Sequence, residues 1–414
     1  MKTRTLSPRY ATLAAVTLST TLLPVATAHA ADEPAPRAPR VTSATTDTFG
    51  RMADAVLTDR TAALLGPASE VAPAGPLPTQ ALDEGQAPRT ALKATGGARL
   101  SAAVSRTEGT ALTALRDTRS RLAALGEAYT DADTDVTVDS TQVRGQQATV
   151  RVTETTTLTY AKIRGDEPAT TGFRAHHELT FTAQPDGTWQ LSGLRTTDNG
   201  PRPINDPAAA TSAGQPGAAS SASRAPGTPV STFAIIDAPK AATTLPAPAK
   251  PKKLTGGTYD YAAMATYTEK YWKDYNPAYR KYNALGGDCT NYLSQGLLAG
   301  GWKQISTVTP EEYDTWYYAS NGTADAWIGV NEWSWFTQTA KRTTPLANVY
   351  QMDIGDVMQI DFNKDGSKDH SMMTTYRSSS GVPYLTYHDA DTYRRSVASI
   401  IAQYPTSVYF AYRT

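Results

Sequence analysis

A short helix is predicted by the sequence Gly286-Gly287-Asp288-Cys289-Thr290-Asn291-Tyr292-Leu293-Ser294-Gln295-Gly296-Leu297-Leu298-Ala299-Gly300-Gly301. The leading glycines permit a tight turn, Asp288 can cap the helix, and the closing glycines end it. Cys289 then falls in the first helical turn, where unpaired N–H groups and the helix dipole stabilise a thiolate and lower its pKa. The same N–H groups can bind the oxyanion that forms when a thiolate attacks a carbonyl.

Cys289 is the single cysteine among the 414 residues of the chain. A lone thiol in an exported protein is either an inert buried side chain or a nucleophile. Its place at a glycine-flanked helix start favours the nucleophile. Asp288 opposes ionisation of the thiol if its own charge lies near the sulfur, so a base is needed to complete the activation.

Five histidines are candidates for that base. His29 lies in the N-terminal leader, and adjacent His176 and His177 are predicted to be sheet residues of a first domain. His370 stands where a turn enters an apolar strand, and His388 is predicted to lie on the next strand. A helix-borne cysteine, then a histidine on a strand, then a polar residue on the neighbouring strand is the order of papain-like cysteine hydrolases.

Three motifs make this similarity specific: Gly287-Asp288-Cys289-Thr290-Asn291-Tyr292-Leu293-Ser294-Gln295, Gly355-Asp356-Val357-Met358-Gln359-Ile360-Asp361 and Asp369-His370-Ser371. In this order they resemble the bacterial putative amidase domain family, a branch of the cysteine/histidine amidohydrolases related to the NlpC-type and CHAP hydrolases. The resemblance covers residues 258 to 412. It does not extend to the first domain.

The resemblance implies Cys289 as nucleophile, His370 as general base and then acid, and His388 as the residue that orients His370. Asp389 and Asp391 lie close in sequence and could orient His370 instead. Tyr282 is a candidate for the side chain that helps to bind the oxyanion. No metal or organic cofactor is required for this chemistry.

The expected reaction is hydrolysis of an amide through an acyl-enzyme. An acyl transferase would use the same Cys-His pair but pass the acyl group to an amine. A non-catalytic module that binds cell wall would keep Cys289 and His370 only as structural residues. The sequence leaves these two alternatives open.

The N-terminus predicts export. Lys2, Arg4 and Arg9 precede an apolar stretch that ends at Ala28-His29-Ala30, which is typical of a secretory signal peptide over residues 1–30. The 39 Lys and Arg balance the 39 Asp and Glu, so no basic field favours nucleic acid or an anionic membrane, and no other run is long enough to insert into a membrane. An exported amidase meets peptidoglycan, whose stem peptides are amide-linked, or another peptide as its most accessible substrate. The oligomeric state is not predicted.

The predicted class is α+β, in two domains. Helical spacing from Thr46 to Leu65 and from Ala98 to Tyr129, followed by alternating strands from Asp135, predicts a small α+β domain over residues 43–198. Its pattern resembles that of a cystatin-like or nuclear-transport-factor-like domain. Residues 199–254 are rich in Pro, Ala and Ser and are expected to form a disordered linker. Residues 255–414 hold 28 of the 36 aromatic residues and should form the hydrolase domain.

Two further patterns have more than one interpretation. Asp361, Asn363 and Asp365, with Gly366, fit the front of a calcium loop, but Met372 stands where the closing Glu is expected, and a hairpin turn before His370 explains them equally. The aromatic side chains of the second domain line either a substrate groove or, as is more common, a packed core: Trp316, Tyr317, Tyr318, Trp327, Trp333, Trp335 and Phe336.

Overall fold

The computed structural model describes residues 42–66, 98–207, 236–244, 251–285, 287–306 and 314–414. The predicted signal peptide, most of the connection between the first two helices and the middle of the predicted linker lie outside the described residues. Within them, no helix is both long enough and apolar enough to cross a bilayer. The described elements mix helices with one large sheet, which confirms the α+β class.

The N-terminal domain packs two helices, α1 (Ser43–Ala62) and α2 (Ala102–Ala124), against an antiparallel sheet of four strands. These strands are β2 (Tyr129–Arg144), β3 (Gln147–Tyr160), β4 (Thr170–Ala183) and β5 (Trp189–Thr196), and a short strand β1 (Ala98–Leu100) precedes α2. The helix expected from Ala98 is shorter, because its first three residues pair in parallel with β5. Ser101 then caps α2 by accepting a hydrogen bond from the Val104 N–H at 3.1 Å.

The alternation of buried and exposed side chains along β3 shows which face of the sheet is covered. Every second side chain of β3 is buried, in the period of two that a strand with one covered face requires. These side chains meet Phe49 of α1, which stacks on Phe181 of β4 at 4.2 Å between ring centroids. The helices therefore cover one face of the sheet.

The described part of the C-terminal domain places five helices and eight strands around a second core. Its elements are α3 (Tyr261–Lys270), α4 (Cys289–Ala299), β6 (Tyr318–Ala319), β7 (Gly322–Thr323), α5 (Asp325–Ile328), α6 (Val330–Thr339), β8 (Thr344–Pro345), β9 (Val357–Asp361), β10 (His370–Arg377), β11 (Pro383–Tyr387), β12 (Thr392–Ser396), α7 (Val397–Gln403) and β13 (Val408–Arg413), with short 3-10 turns at Asn283–Leu285 and Val349–Gln351. In the middle of its sheet β12, β11, β10, β9 and β13 are neighbours in that order.

The two domains share one sheet. Strand β4 pairs with β5 over its C-terminal half, while Gly172 and Phe173 near its start pair with Tyr393 and Thr392 of β12. The Arg174 N–H donates to the carbonyl of Asp391 at 2.8 Å at this junction. The N-terminal domain is thereby fixed beside the end of β11.

The structure differs from the predicted linker at both of its ends. Residues 200–206 are mostly buried, and residues 236–244 reach the sheet, where Ala241 bridges to Tyr409 and Ala242 to Asn348. Lys368, fully buried, pairs with Asp237 of this second segment at 2.6 Å. Composition underestimated these segments because contacts distant in sequence attach them: Ile204 and Ala238 enter the hydrophobic cores, and backbone bridges and polar anchors hold the rest.

Aromatic packing forms the core of the C-terminal domain. Trp302, Trp316, Trp327, Trp333 and Phe336 are all fully buried. Trp316 packs on Trp327 with ring centroids 4.7 Å apart, and its indole N–H donates to Ser294 Oγ of α4 at 3.0 Å. Trp316, Trp327, Trp333 and Phe336 therefore belong to the core, whereas Tyr317, Tyr318 and Trp335 of the predicted set are only partly buried. The burial of the core rings fixes the position of α4.

The surroundings of two helical glycines predict opposite effects of an added methyl group on stability. A Cβ on Gly296 of α4 would lie 2.6 Å from Thr268 Oγ1 of α3 and 3.1 Å from Met373 Cε of β10. We expect Gly296→Ala to lower the free energy of unfolding by about 1–3 kcal/mol, although alanine favours helix by about 1 kcal/mol. Gly109 lies in α2, and a Cβ added there would have no other described side chain or distant backbone atom within 4 Å. In Gly109→Ala the helix propensity of alanine alone should therefore raise the free energy of unfolding. Urea unfolding of the two variants checks this, and equal stability of Gly296→Ala and the parent chain would contradict the packing.

Candidate active site

Cys289 is the first residue of α4, as predicted, and only 2% of its surface is exposed. Gly287 precedes it with a φ of +149°, a backbone conformation that side chains rarely permit. The Ser371 backbone N–H of β10 donates a hydrogen bond to the thiol sulfur, and Thr290 Oγ1 lies 3.7 Å from it. The thiol thus sits between the start of α4 and the start of β10.

Asp288 does not cap α4 with its side chain, contrary to expectation. Its Oδ1 accepts hydrogen bonds from the Tyr282 N–H at 2.8 Å and from Asn291 Nδ2 at 2.9 Å. Its Oδ2 lies 2.8 Å from Nδ1 of His388. The carboxylate therefore links the incoming chain, α4 and the end of β11.

His370 is the first residue of β10 and is completely buried. Within the described part of the chain neither of its ring nitrogens has a hydrogen-bond partner. The ring of Tyr387 on β11 meets it edge to face at 5.2 Å. A buried imidazole without a partner is costly, which is why such a group indicates a functional rather than a structural role.

Cys289, His370 and Asp389 form a compact cluster. The thiol sulfur, a ring nitrogen of His370 and a carboxylate oxygen of Asp389 all lie within 4.8 Å of one another. Asp389 Oδ2 accepts hydrogen bonds from the backbone N–H groups of Asp288 at 2.7 Å and Cys289 at 3.1 Å. Asp389 thus satisfies the helix-start N–H groups that the sequence assigned to an oxyanion.

His388 does not hydrogen-bond to His370. Its ring lies between those of Tyr275 and Tyr292, each 3.6 Å away and nearly parallel. Its Nδ1 pairs with Asp288, and its Nε2 lies 2.8 Å from the carbonyl oxygen of Tyr271. Both nitrogens are engaged, so His388 holds the start of α4 in place.

The carboxylate of Asp391 is paired with an arginine of the N-terminal domain. Its Oδ2 pairs with Arg174 at 2.7 Å, and its Oδ1 accepts from the Tyr275 hydroxyl at 2.7 Å. Of the three residues considered for orienting His370, Asp389 is therefore the one within a few ångströms of that ring and not tied to another side-chain charge. Asn283 Nδ2 also donates to Asp389 Oδ1, at 2.9 Å.

Burial disfavours the charged form of each of the three groups in the cluster. Burial, and next the charge of Asp389, raises the pKa of the Cys289 thiol to about 12. Burial, and next the charge of His388, lowers the pKa of the His370 imidazole to about 3. Burial and the charge of Asp288 raise the pKa of the Asp389 carboxyl well above its ordinary value. A thiol and an unprotonated imidazole, not a thiolate–imidazolium pair, are present near pH 7.

The side chains at the remaining predicted positions have polar partners outside the cluster. The Tyr282 hydroxyl is 3.0 Å from Thr323 Oγ1. In the N-terminal domain, His177 Nε2 lies 2.8 Å from buried Glu154, and His176 Nδ1 lies 2.8 Å from Asp198. Both histidines are residues of β4, as predicted.

The candidate calcium loop is a hydrogen-bonded turn. Asp361 accepts from the N–H groups of Lys364 and Gly366, Asn363 accepts from that of Asp365, and Asp365 accepts from that of Ser367. These side-chain oxygens stabilise the backbone of the hairpin before His370. The arrangement agrees with the turn interpretation.

Sulfur, imidazole and carboxylate are also ligands that Zn²⁺ accepts. Among the described residues, Cys289, His370 and Asp389 are the one group of three acidic, histidine or cysteine side chains close enough to share an ion. The chemistry proposed below uses the same thiol and imidazole as nucleophile and base.

Comparison with known proteins agrees with the site. Residues 258–412 match a family model described as a putative amidase domain. This segment contains α3, α4, the strand that begins with His370 and the turn after β11 that carries Asp389. The matched residues therefore include Cys289, His370 and Asp389 and lie wholly within the C-terminal domain.

Two relatives come from Bacillus subtilis (strain 168). Uncharacterized protein YhbB is 25% identical over 154 residues, which are 34% of this chain and 48% of YhbB. Uncharacterized protein YjcM is 28% identical over 145 residues, which are 33% of this chain and 32% of YjcM. The chain therefore matches less than half of the length of each relative.

Two solved structures were found by shape. The Kfla4162 protein from Kribbella flavida is 19% identical, with a TM-score of 0.17, and the match covers 22% of this chain and 56% of that one. The intermembrane space region of chloroplast protein ARC6 is 20% identical, with a TM-score of 0.15, and covers 20% and 67%. Such scores do not indicate a shared fold.

The different partners of the two histidines predict different effects on stability. His388→Phe removes two hydrogen bonds and leaves buried Asp288 without its imidazole, so we expect a loss of about 2–5 kcal/mol of unfolding free energy. His370→Phe removes no described hydrogen bond and should cost less than about 1.5 kcal/mol. Thermal and urea unfolding of both variants tests this, and an equal loss in the two would contradict the division of roles.

Proposed function

We propose that the protein is a secreted cysteine amidohydrolase in which Cys289 and His370 carry out the reaction. The observation that supports this most directly is a helix-start thiol within 4.8 Å of a buried imidazole whose nitrogens have no hydrogen-bond partner among the described residues. A structural histidine normally uses its ring nitrogens, as His388 does. An imidazole kept for proton transfer does not need a permanent partner.

In the proposed reaction, His370 takes the proton of the Cys289 thiol as the sulfur attacks the amide carbonyl carbon. The Cys289 N–H stabilises the oxygen that becomes negative. The carbon–nitrogen bond then breaks, and the His370 imidazolium gives its proton to the leaving amine. Water, deprotonated by His370, attacks the thioester and releases the carboxylic acid and the thiol.

Asp389 is proposed as the residue that orients His370 during turnover. Its carboxylate already lies within 4.8 Å of the ring, and it stabilises an imidazolium more strongly than a neutral partner does. This role requires the carboxylate to leave the N–H groups of Asp288 and Cys289. His388 acts indirectly, by positioning the turn that carries Cys289.

The proposed architecture of the C-terminal domain is papain-like. The support is its arrangement: α4 bears the cysteine and packs against β10, which begins with the histidine, and β11 leads to Asp389. For the N-terminal domain we propose a cystatin-like or nuclear-transport-factor-like form, supported by two helices on an antiparallel sheet.

Peptidoglycan is the proposed substrate class. The leader at residues 1–30 favours export, and the putative amidase domain match favours amide bonds, which exported bacterial proteins meet in the stem peptides of the wall. The fully buried rings of Trp316, Trp327, Trp333 and Phe336 do not supply a sugar-binding platform, whereas Tyr317, Tyr318 and Trp335 are partly exposed. The amide bonds of the stem peptides are the part of this substrate on which the cluster would act.

The proposed function predicts loss of activity in two variants. Cys289→Ser and His370→Phe should each reduce release of amino groups from purified peptidoglycan by at least about 10³-fold, because nucleophile and base act as one unit. Thr110→Ala, on the exposed face of α2, should retain the parent rate. Mass spectrometry of the products identifies the cleaved bond, and product that carries an added amine would indicate the transferase instead. Wall binding with hydrolysis unaffected by Cys289→Ser would contradict the proposal.

A further inference from the structure

A segment of the N-terminal domain covers the candidate site. Residues 198–206, here called the strap, follow β5 with the sequence Asp198-Asn-Gly-Pro-Arg-Pro-Ile-Asn-Asp206. Six of its nine residues are buried: Gly200, Pro201, Pro203, Ile204, Asn205 and Asp206. The strap lies in the region where composition predicted the start of a disordered linker. Its burial therefore needs a structural explanation.

The strap touches the reacting groups. Gly200 has a φ of +91°, and a Cβ at this position would lie 3.1 Å from Nδ1 of His370 and 3.0 Å from the Cβ of Asp389. Backbone therefore lies directly against the imidazole, and only glycine fits there. The neighbouring Asn199 Nδ2 donates to the carbonyl of Asn283, in the turn before Cys289, at 2.7 Å.

Polar contacts hold the strap on both sides. At its start, Asp198 accepts from the His176 N–H at 2.7 Å. In its middle, the Arg202 N–H donates to the Tyr404 hydroxyl at 2.7 Å. At its end, Asn205 Nδ2 donates to Glu154 Oε1 of β3 at 2.6 Å. A loop without a role does not need three such anchors.

The buried charges of the N-terminal domain extend this attachment. Asp206, the last residue of the strap, accepts from the Thr196 hydroxyl at 2.5 Å and pairs with Arg202 at 2.9 Å. Arg60, which pairs with Glu108 at 2.7 Å, lies 3.8 Å from Asp206. The end of the strap is therefore part of the interior of the N-terminal domain.

Asp389 blocks the candidate site in addition to the strap. An oxyanion needs the Cys289 N–H, and in this conformation Asp389 Oδ2 accepts from it. Because a Cβ on Gly200 would lie 3.0 Å from that of Asp389, the strap limits movement of this carboxylate away from the helix start. Asp389 and Ala390 also have left-handed backbones, with φ of 64° and 55°. The site is both covered and internally occupied.

We propose that residues 198–206 act as an intramolecular inhibitor of the Cys289–His370 site, and that the N-terminal domain serves to hold them there. This inference rests on the proposed function. A substrate carbonyl must lie against the Cys289 sulfur and N–H, next to the imidazole, and the strap backbone and Asp389 take up that space. The strap must therefore move away before amide hydrolysis, and the described conformation is a latent state.

A single substitution tests the strap in the full-length chain. Gly200→Leu adds a side chain that cannot fit beside His370, so the strap should be displaced. We expect alkylation of Cys289 by iodoacetamide near pH 8 to become at least about tenfold faster, because the thiol gains contact with solvent. Since the sequence has one cysteine, the mass of the intact protein reports this reaction alone.

Gly187→Leu is the matched control. Gly187 also has a left-handed backbone, with a φ of +79°, and lies in the same domain, but a Cβ there would meet nothing within 4 Å. It carries the same backbone strain without touching the site, so its alkylation rate should equal that of the parent chain. Asn199→Ala, which removes one anchor and adds no strain, should give a smaller rise. If near-UV circular dichroism shows that Gly200→Leu does not fold, the alkylation rate of Asn199→Ala tests the strap instead.

Hydrolysis of peptidoglycan, measured on the same samples, separates this inference from the proposed function. Parallel rises in alkylation and hydrolysis in Gly200→Leu and Asn199→Ala support the inhibitor. Faster alkylation with no hydrolysis in any variant contradicts the proposed function, and the strap is then only a cover. Equal alkylation in the parent chain, Gly200→Leu and Asn199→Ala overturns the strap's role, whatever the hydrolysis rates are.

Discussion

The start of α4 is held by two consecutive residues that follow β11, and the rest of the site depends on that contact. His388 Nδ1 pairs with Asp288, and Asp389 accepts from the N–H groups of Asp288 and Cys289. Both contacts are buried, where an unpaired polar group costs most. Because the aromatic core fixes the opposite side of α4, the thiol has one position relative to β10.

The same contact helps to explain why the thiol of Cys289 is not ionised in this conformation. The N–H groups and dipole at a helix start normally lower a thiol pKa, but burial and the charge of Asp389 reverse the effect and raise it to about 12. Burial acts oppositely on His370 and lowers its pKa to about 3. Access of water would move both pKa values toward the ordinary range, and departure of Asp389 from the helix start would remove a charge that raises the pKa of the thiol. Proton transfer would then be permitted. Regulation and catalysis therefore involve the same few atoms.

Local signals in the sequence were sufficient for some parts of this account. Glycines around a polar segment predicted α4, and alternation predicted the strands of the N-terminal domain. The position of Cys289 followed from these local rules. Asp389 was considered only as an alternative to His388, because the sequence does not show which ring nitrogens are already engaged. The strap could not be predicted: Gly200 and His370 are 170 positions apart, and Pro-rich composition indicates only what a segment cannot do alone.

The central claim is that Cys289 and His370 form an activated pair once the strap has moved. The most direct measurement is the rate of Cys289 alkylation against pH in Gly200→Leu, compared with Gly200→Leu/His370→Phe. The account predicts reactivity that persists well below pH ~8.5, where a free thiol titrates, and that disappears in the double variant. Alkylation that follows an ordinary thiol and is the same in both chains would contradict it.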